Sequence, residues 1–246
     1  MSGDNQKMKN IKLVIEYDGT DFCGWQYQPD ERTVQGEIED VLKKLLSERI
    51  RIIGAGRTDQ GVHARGQVAN FHTSSTLPLT KMLIALNSLT GSDVNIKKIS
   101  YTSEDFHSRF SAESKVYEYN IVLKPSPFAL RYNWFVKYEL DLDKMNIAKN
   151  TLTGKHDFKY FSTETEKENT FCIVESISLT QRDSRIIIKI EGDRFIRKMV
   201  RGIVGFLHDV GRGYYRSSQA KDVLAGKIKN LFFAPPQGLF LVKVKY

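Results

Sequence analysis

The chain is poor in the residues that fasten small extracellular folds. Only two cysteines, Cys23 and Cys172, occur in 246 residues. They stand far apart and in no metal-ligand spacing, which argues against a disulfide framework and against a zinc site. Such sparing use of cysteine suits a reducing compartment, and the expected location is the cytoplasm. No run of about 18 apolar residues is present, the length a membrane-spanning helix requires. The opening segment MSGDNQKMKN is polar and lacks the apolar stretch of a secretory signal. Histidines number five, and His63 and His72 are too isolated to read as metal ligands. No Walker Gly-Lys-Ser/Thr ending follows a glycine-rich loop, and no G-x-G-x-x-G opens a helix, so a nucleoside triphosphate site is not supported. Low-complexity segments and long linkers are absent as well.

The composition itself is that of a globular protein, with 41% apolar and 27% charged residues. Lysine and arginine total 37 against 29 acidic residues, a net charge of +8. A basic excess suits a polyanionic partner, because each phosphate contact releases counterions. Plain solubility charge explains it nearly as well. An anionic membrane surface is the weaker option, since no strongly basic amphipathic helix is evident.

Ile11, Leu13, Ile15 and Tyr17 alternate with polar residues, the pattern of a half-buried strand closed by Asp18-Gly19. Thr33 precedes Val34, Ile38, Val41, Leu42, Leu45 and Leu46 at helical spacing, which predicts a helix over 34–47. Short strands are expected over 50–53 and 67–71, a helix over 80–89 and a strand over 94–101. The first half thus runs β-α-β-β-α-β, the order of a ferredoxin-like unit. In the second half, strands are expected over 115–123, 173–180, 185–191 and 239–244. Helices are expected after Asp141, over 195–210 and from Ser217 or Ser218. These elements give two α+β subdomains, 1–105 and 106–246.

The densest functional signal is the stretch from Gly54 to Gln67, with four glycines, Arg57, Thr58, Asp59 and His63. Glycines let a backbone approach a ligand closely, and polar loops between strands are where sites tend to lie. Taken alone, Asp59-Gln60-Gly61 reads first as a turn cap with Arg57 as its ion-pair partner.

The stretch GRTDQGVHARGQVANF resembles the signature of the TruA family of tRNA pseudouridine synthases. Five further segments resemble that family in order along almost the whole chain. They are Tyr17-Asp18-Gly19-Thr20 with Gly24-Trp25-Gln26, then Thr33-Val34-Gln35-Gly36, then Phe106 to Ala112 leading to Tyr117-Glu118-Tyr119. After these come Phe195 to Arg201 and Ala234-Pro235-Pro236-Gln237-Gly238-Leu239. The resemblance implies an α+β fold in which two ferredoxin-like subdomains form one extended, mainly antiparallel sheet around a central cleft. It implies conversion of uridine to pseudouridine in the anticodon stem-loop, at positions 38, 39 and 40, without cofactor or metal. A homodimer with tRNA as partner is part of the same expectation.

Residue by residue, the resemblance makes Asp59 the nucleophile, as a carboxylate is in glycosidases. Attack on C1′ of the ribose and on C6 of the base both remain open. Arg201 is implied as the positive partner that favours the ionised carboxylate. Tyr117 is implied as the ring against the uracil, although a core strand aromatic would look the same. Arg57, Phe106, His107, Ser108, Arg109 and Phe110 are implied in RNA contact and in flipping the base out of its stack. Arg194, Arg197 or Lys198, and Arg201 share the expected helix 195–210, with Arg194 and Lys198 read as a solvated stripe. The stretch 159–171 is charged through Lys159, Glu164, Glu166, Lys167 and Glu168, which leaves its RNA contacts open. Three rival readings stand beside this one: a binding protein without catalysis, a glycosyl-transfer enzyme acting on a free nucleoside or sugar with Asp18 or Asp21 as second acid, and a synthase of the same class acting on another RNA.

Overall fold

A computed structural model describes residues 8–163 and 169–246. The polar opening 1–7 therefore lies outside the described residues, as do Glu164, Glu166, Lys167 and Glu168 of the charged loop. The chain forms two compact units. One reaches to Glu113 and takes back Lys243–Tyr246, and the other is Ser114–Val242.

The first unit follows the expected order: β1 (Lys9–Tyr17), α1 (Val34–Leu46), β2 (Ile53–Gly54), β3 (His63–Thr73), α2 (Leu79–Leu89) and β4 (Val94–Tyr101). β1 lies between β3 and β4 and is antiparallel to both. Its alternation works as expected, since Ile11, Leu13, Ile15 and Tyr17 are all buried. Thr33 caps α1 by accepting the Gly36 amide at 3.2 Å, and Val34, Ile38, Val41 and Leu42 form its buried stripe.

Two strands differ in extent from the sequence pattern. The one expected over 50–53 shrinks to β2. The Ile52 amide donates to Glu39 Oε1 at 2.9 Å and its carbonyl accepts from Gln35, so side chains of α1 take bonds a strand partner would have taken. β3 instead runs from His63 to Thr73, beyond the expected 67–71, because β1 pairs with it from Thr73 back to Ala64. The last third of the glycine-rich signature is thus sheet and not loop.

The second unit holds β5 (Ser114–Val122), β6 (Trp134–Phe135), α3 (Leu142–Leu152), β7 (Gly154–Asp157), β8 (Phe171–Arg182), β9 (Arg185–Gly192), α4 (Met199–Gly211) and α5 (Ala220–Leu224). β10 (Leu239–Lys245) begins in this unit and ends in the first. β5, β9, β8 and β7 pair antiparallel in that order, and β6 adds to β5 in parallel. β8 and β9 form a hairpin turned through Asp183 at φ 51°. Asp141 caps α3 by accepting the Lys144 amide at 3.0 Å. The fold is α+β with mainly antiparallel sheet, as the resemblance implied.

The helix expected over 195–210 starts only at Met199, with Lys198 at φ 61° before it. The Arg197 carbonyl, which a longer helix would use internally, accepts from Ser162 Oγ at 2.8 Å and from the Thr163 amide at 3.2 Å. Asp193 Oδ1 meanwhile accepts the amides of Arg194 and Ile173 and holds that stretch in a turn. Arg194, Arg197 and Lys198 consequently share no helix face with Arg201, which corrects the stripe expected there.

Candidate active site

Asp59 lies half-buried on a short turn between β2 and β3, with its carbonyl accepting the Val62 amide at 3.1 Å. The residue before it is fixed from several sides. Thr58 O accepts the Trp25 amide at 3.1 Å, and Thr58 Oγ1 lies 2.8 Å from the Tyr17 hydroxyl. Gly24 sits at φ +92°, and a Cβ there would come within 2.7 Å of Thr58 O. Gly19 is as tightly placed, since a Cβ on it would stand 2.0 Å from Val62 O. Both glycines are needed for backbone to lie directly on backbone. His63, fully buried, holds its Nδ1 3.0 Å from the Gly19 amide and 3.0 Å from Asp18 Oδ1. Gln67 donates to Gly56 O at 2.9 Å, and the Ala55 amide to Val68 O at 2.7 Å. Arg57 projects from this turn into solvent.

The second cluster of this unit is the loop 103–111. Two buried asparagines anchor it. Asn10 Nδ2 donates to the carbonyls of Ser103 and Phe106, each at 2.9 Å, and Asn70 Nδ2 donates to Asn10 Oδ1 at 3.0 Å. Asn70 Oδ1 accepts the Ser108 amide at 2.8 Å, and Ser108 O accepts the Tyr246 hydroxyl at 2.9 Å. The Phe106 ring meets Tyr246, with the Lys12 ammonium over both rings at 4.6 and 4.1 Å. His107 Nδ1 accepts the amides of Arg109 and Phe110, and its ring lies 4.3 Å from that of Phe110. The tip is open: Arg109 is exposed and Phe110 is 76% exposed. Of the residues singled out here, Ser108 is wholly buried, and Arg109 and Phe110 face water.

In the second unit, Tyr117 sits on β5 opposite Ile190, buried, with its ring edge-on to Phe195 at 5.1 Å. Arg201, on the first turn of α4, donates its Nε–H to Ala234 O at 2.7 Å, and its carbonyl accepts the Ala234 amide at 3.0 Å. Pro235 O in turn accepts the Tyr119 hydroxyl at 2.7 Å. Burial drives the Tyr119 phenol well above the usual tyrosine range, although the Arg201 charge opposes that. The Ala234–Leu239 segment therefore orients the Arg201 side chain.

Sequence reasoning did not find the supporting side chains. Tyr17, Gly19, Gly24, Trp25 and Gln67 stand in the recognised segments but carried no role there. Asn10 and Asn70 carried no signal beyond being asparagines within strands. Among the described residues, no three histidine, cysteine, aspartate or glutamate side chains come together as metal ligands, and no helix is long and apolar enough to cross a membrane.

The profile of the family described as tRNA pseudouridine synthase matches residues 13–111 and 148–246. "tRNA pseudouridine synthase A" of Chlorobium limicola is 42% identical over 243 residues, covering 97% of this chain and all of that one. The protein of the same name from Caldicellulosiruptor bescii is 42% identical over 244 residues, with 97% and 100% covered. That of Aquifex aeolicus is 38% identical over 239 residues, with 96% and 99% covered. The chain belongs to the tRNA pseudouridine synthase family, a family of isomerases.

Proposed function

We propose that the chain isomerises uridine to pseudouridine in the anticodon stem-loop of tRNA, at positions 38, 39 and 40, with Asp59 as nucleophile. The observation that carries this reading is the nesting of the Asp59 turn on Tyr17, Gly24 and Trp25. Such fixation of backbone beneath a half-buried carboxylate is what a nucleophile requires, because a misplacement of about 1 Å can cost roughly 100-fold in rate. In one route a carboxylate oxygen bonds to C1′ while the N1–C1′ bond breaks and its electron pair leaves with the uracil. The base turns, C5 bonds to C1′ as the carboxylate departs, the C5 proton is lost to water and N1 gains one. In the other route the carboxylate first adds to C6 with the C5–C6 π pair moving toward O4. The N1–C1′ bond then breaks, the base turns and C5 bonds to C1′, and the carboxylate leaves C6 as the C5 proton is lost and N1 gains one. Both end in loss of the C5 proton, so its release reports the reaction without choosing between them.

Arg201 is assigned as the charge partner of the carboxylate, supported by the way Ala234 holds its guanidinium. Tyr117 is assigned to stack on the uracil. Arg57 and the loop residues Phe106, His107, Ser108, Arg109 and Phe110 are assigned to RNA contact and base flipping. An exposed Arg109-Phe110 tip on a buried Asn10-Asn70 footing supports that division of labour. Arginine can fork onto phosphate while an aromatic ring fills space left by an extruded base. Action in the cytoplasm as a homodimer, without cofactor, completes the reading, and light scattering of the purified protein tests the dimer.

The deciding experiment is tritium release from [5-³H]uridine-labelled tRNA by wild type, Asp59→Ala and Asp59→Asn. Wild-type release, abolished in both variants with tRNA binding kept, is expected. Turnover retained in Asp59→Asn removes the nucleophile assignment, and release from free uridine favours the glycosyl-transfer rival. No release from any tRNA favours a binding protein or a synthase acting on another RNA. Transcripts lacking uridine at 38, 39 or 40 test the positions. Tyr117→Phe is expected to keep most activity and Tyr117→Ala to lose it, and equal losses would point to the hydroxyl.

A further inference from the structure

We propose that Tyr17 is a positioning residue for the reaction, acting through Thr58 to set the direction of the Asp59 carboxylate. The proposal rests on the reading of Asp59 as nucleophile. It starts from a slip in the sheet. β1 and β3 stay in one register from Lys9 opposite Thr73 to Ile15 opposite Gln67. Tyr17 then faces Ala64, so Arg65 and Gly66 stand against the single residue Glu16. A bulge of this kind bends a strand and re-aims a side chain, and bulges concentrate beside active sites.

Its effect is to bring the Tyr17 hydroxyl under the turn that carries Asp59. Tyr17 is 3% exposed, and its hydroxyl reaches Thr58 Oγ1 at 2.8 Å. The wholly buried Gln67 side chain donates Nε2–H to Gly56 O at 2.9 Å. Side chains of β1 and β3 thereby hold the chain on both sides of Arg57. Thr58 is held at its side chain by Tyr17 and at its carbonyl by Trp25, so the next residue leaves it in one direction. Burial raises the phenol well above the ordinary tyrosine range, which keeps it protonated and neutral at any working pH. Removing the hydroxyl would leave the buried Thr58 Oγ1 without this partner, while the ring would still fill its place.

The test separates positioning from mere support by measuring single-turnover tritium release at saturating enzyme, tRNA affinity and thermal midpoint together. Tyr17→Phe and Thr58→Val are each expected to slow the step roughly 10- to 100-fold with tRNA affinity unchanged. Thr58→Ser keeps the hydroxyl and is expected to restore most of the rate. The double variant Tyr17→Phe/Thr58→Val is expected to lose little more than either alone, because both break one contact. Wild-type single-turnover rates in Tyr17→Phe and Thr58→Val overturn the proposal. So does a loss of rate that only follows loss of tRNA binding or of folded protein, or a Thr58→Ser variant as slow as Thr58→Val. Asp59→Asn is measured alongside: turnover in that variant fails the nucleophile reading, whereas an inactive Asp59→Asn with an unaffected Tyr17→Phe fails the positioning role alone.

Discussion

The two loops of the first unit carry chemistry-bearing side chains in opposite ways. The Asp59 turn is enclosed: glycine backbone lies against its backbone at Gly19 and Gly24, and Trp25 and Tyr17 hold Thr58 from two sides. The loop 103–111 is gripped only at its feet, by Asn10, Asn70 and Tyr246, and opens to water at Arg109 and Phe110. Each uses a tyrosine hydroxyl as a fastener, the buried Tyr17 beneath one and the partly exposed Tyr246 beneath the other. The difference lies in what is left to move. A bond-making carboxylate gains from having no freedom, whereas side chains that meet a folded RNA gain from reaching outward.

The comparison breaks most readily at the glycines. Gly19→Ala would force a Cβ onto Val62 O, and Gly24→Ala would add positive-φ strain to contact with Thr58 O. Either is expected to destabilise the fold by about 3 kcal/mol and to reduce pseudouridine formation more than roughly 100-fold. Thermal melts and tritium release measure both. A Gly24→Ala protein with wild-type melting and turnover would mean the turn is not enclosed as described.

Next in size is Asn70→Ala, which strips the Ser108 amide of its acceptor and Asn10 Oδ1 of a donor. The expected cost is about 2 kcal/mol, from buried groups left without partners. If the loop serves recognition, tRNA affinity falls while the single-turnover rate at saturation stays near wild type. A fall in that saturated rate as large as the fall in affinity would erase the distinction between the two loops.

Alkaline unfolding sharpens the enclosed side of the comparison. Burial lifts the Tyr17 phenol well above its usual range, so the unfolded chain gives up this proton first, near pH 10. The folded state then binds more protons than the unfolded one, and stability falls as pH rises above that point. The stabilising contribution is complete below about pH 10 and diminishes by up to about 1.4 kcal/mol for each further unit. Urea unfolding at pH 9 and pH 11 is expected to show a steeper loss in wild type than in Tyr17→Phe. Equal slopes would mean that the hydroxyl titrates as it does in water.

The sequence made the enclosed turn visible and its enclosure invisible. Alternation in Ile11–Tyr17 and helical spacing from Val34 place β1 and α1 directly, because burial on one face writes itself as period. Thr33 and Asp141 are legible as caps since their chemistry is local. The bulge at Arg65-Gly66 is not legible, because register depends on a partner strand some 50 residues away in sequence. The late start of α4 is hidden for a related reason: the Arg197 carbonyl is taken by Ser162, which no local pattern connects to it. Asn10 and Asn70 read as ordinary polar residues in strands, and only the fold brings the Phe106 and Ser108 backbone to them.

The smallest effect on stability is expected at the open tip. Arg109 has its guanidinium 5.7 Å from the Phe110 ring and otherwise reaches into water, so Arg109→Ala and Phe110→Ala should each shift stability by less than about 0.5 kcal/mol. Their effect should appear in RNA binding instead, and differently for each. If Arg109 meets a phosphate, its removal weakens binding and lowers the slope of log affinity against log salt by nearly one. Phe110 carries no charge, so Phe110→Ala should leave that slope unchanged while slowing the step in which the base leaves its stack. Measuring tRNA affinity across a salt series for both variants therefore assigns the two residues separately. A salt slope unaltered by Arg109→Ala would take the phosphate contact away from this loop, and with it the contrast between a recognising loop and a reacting one.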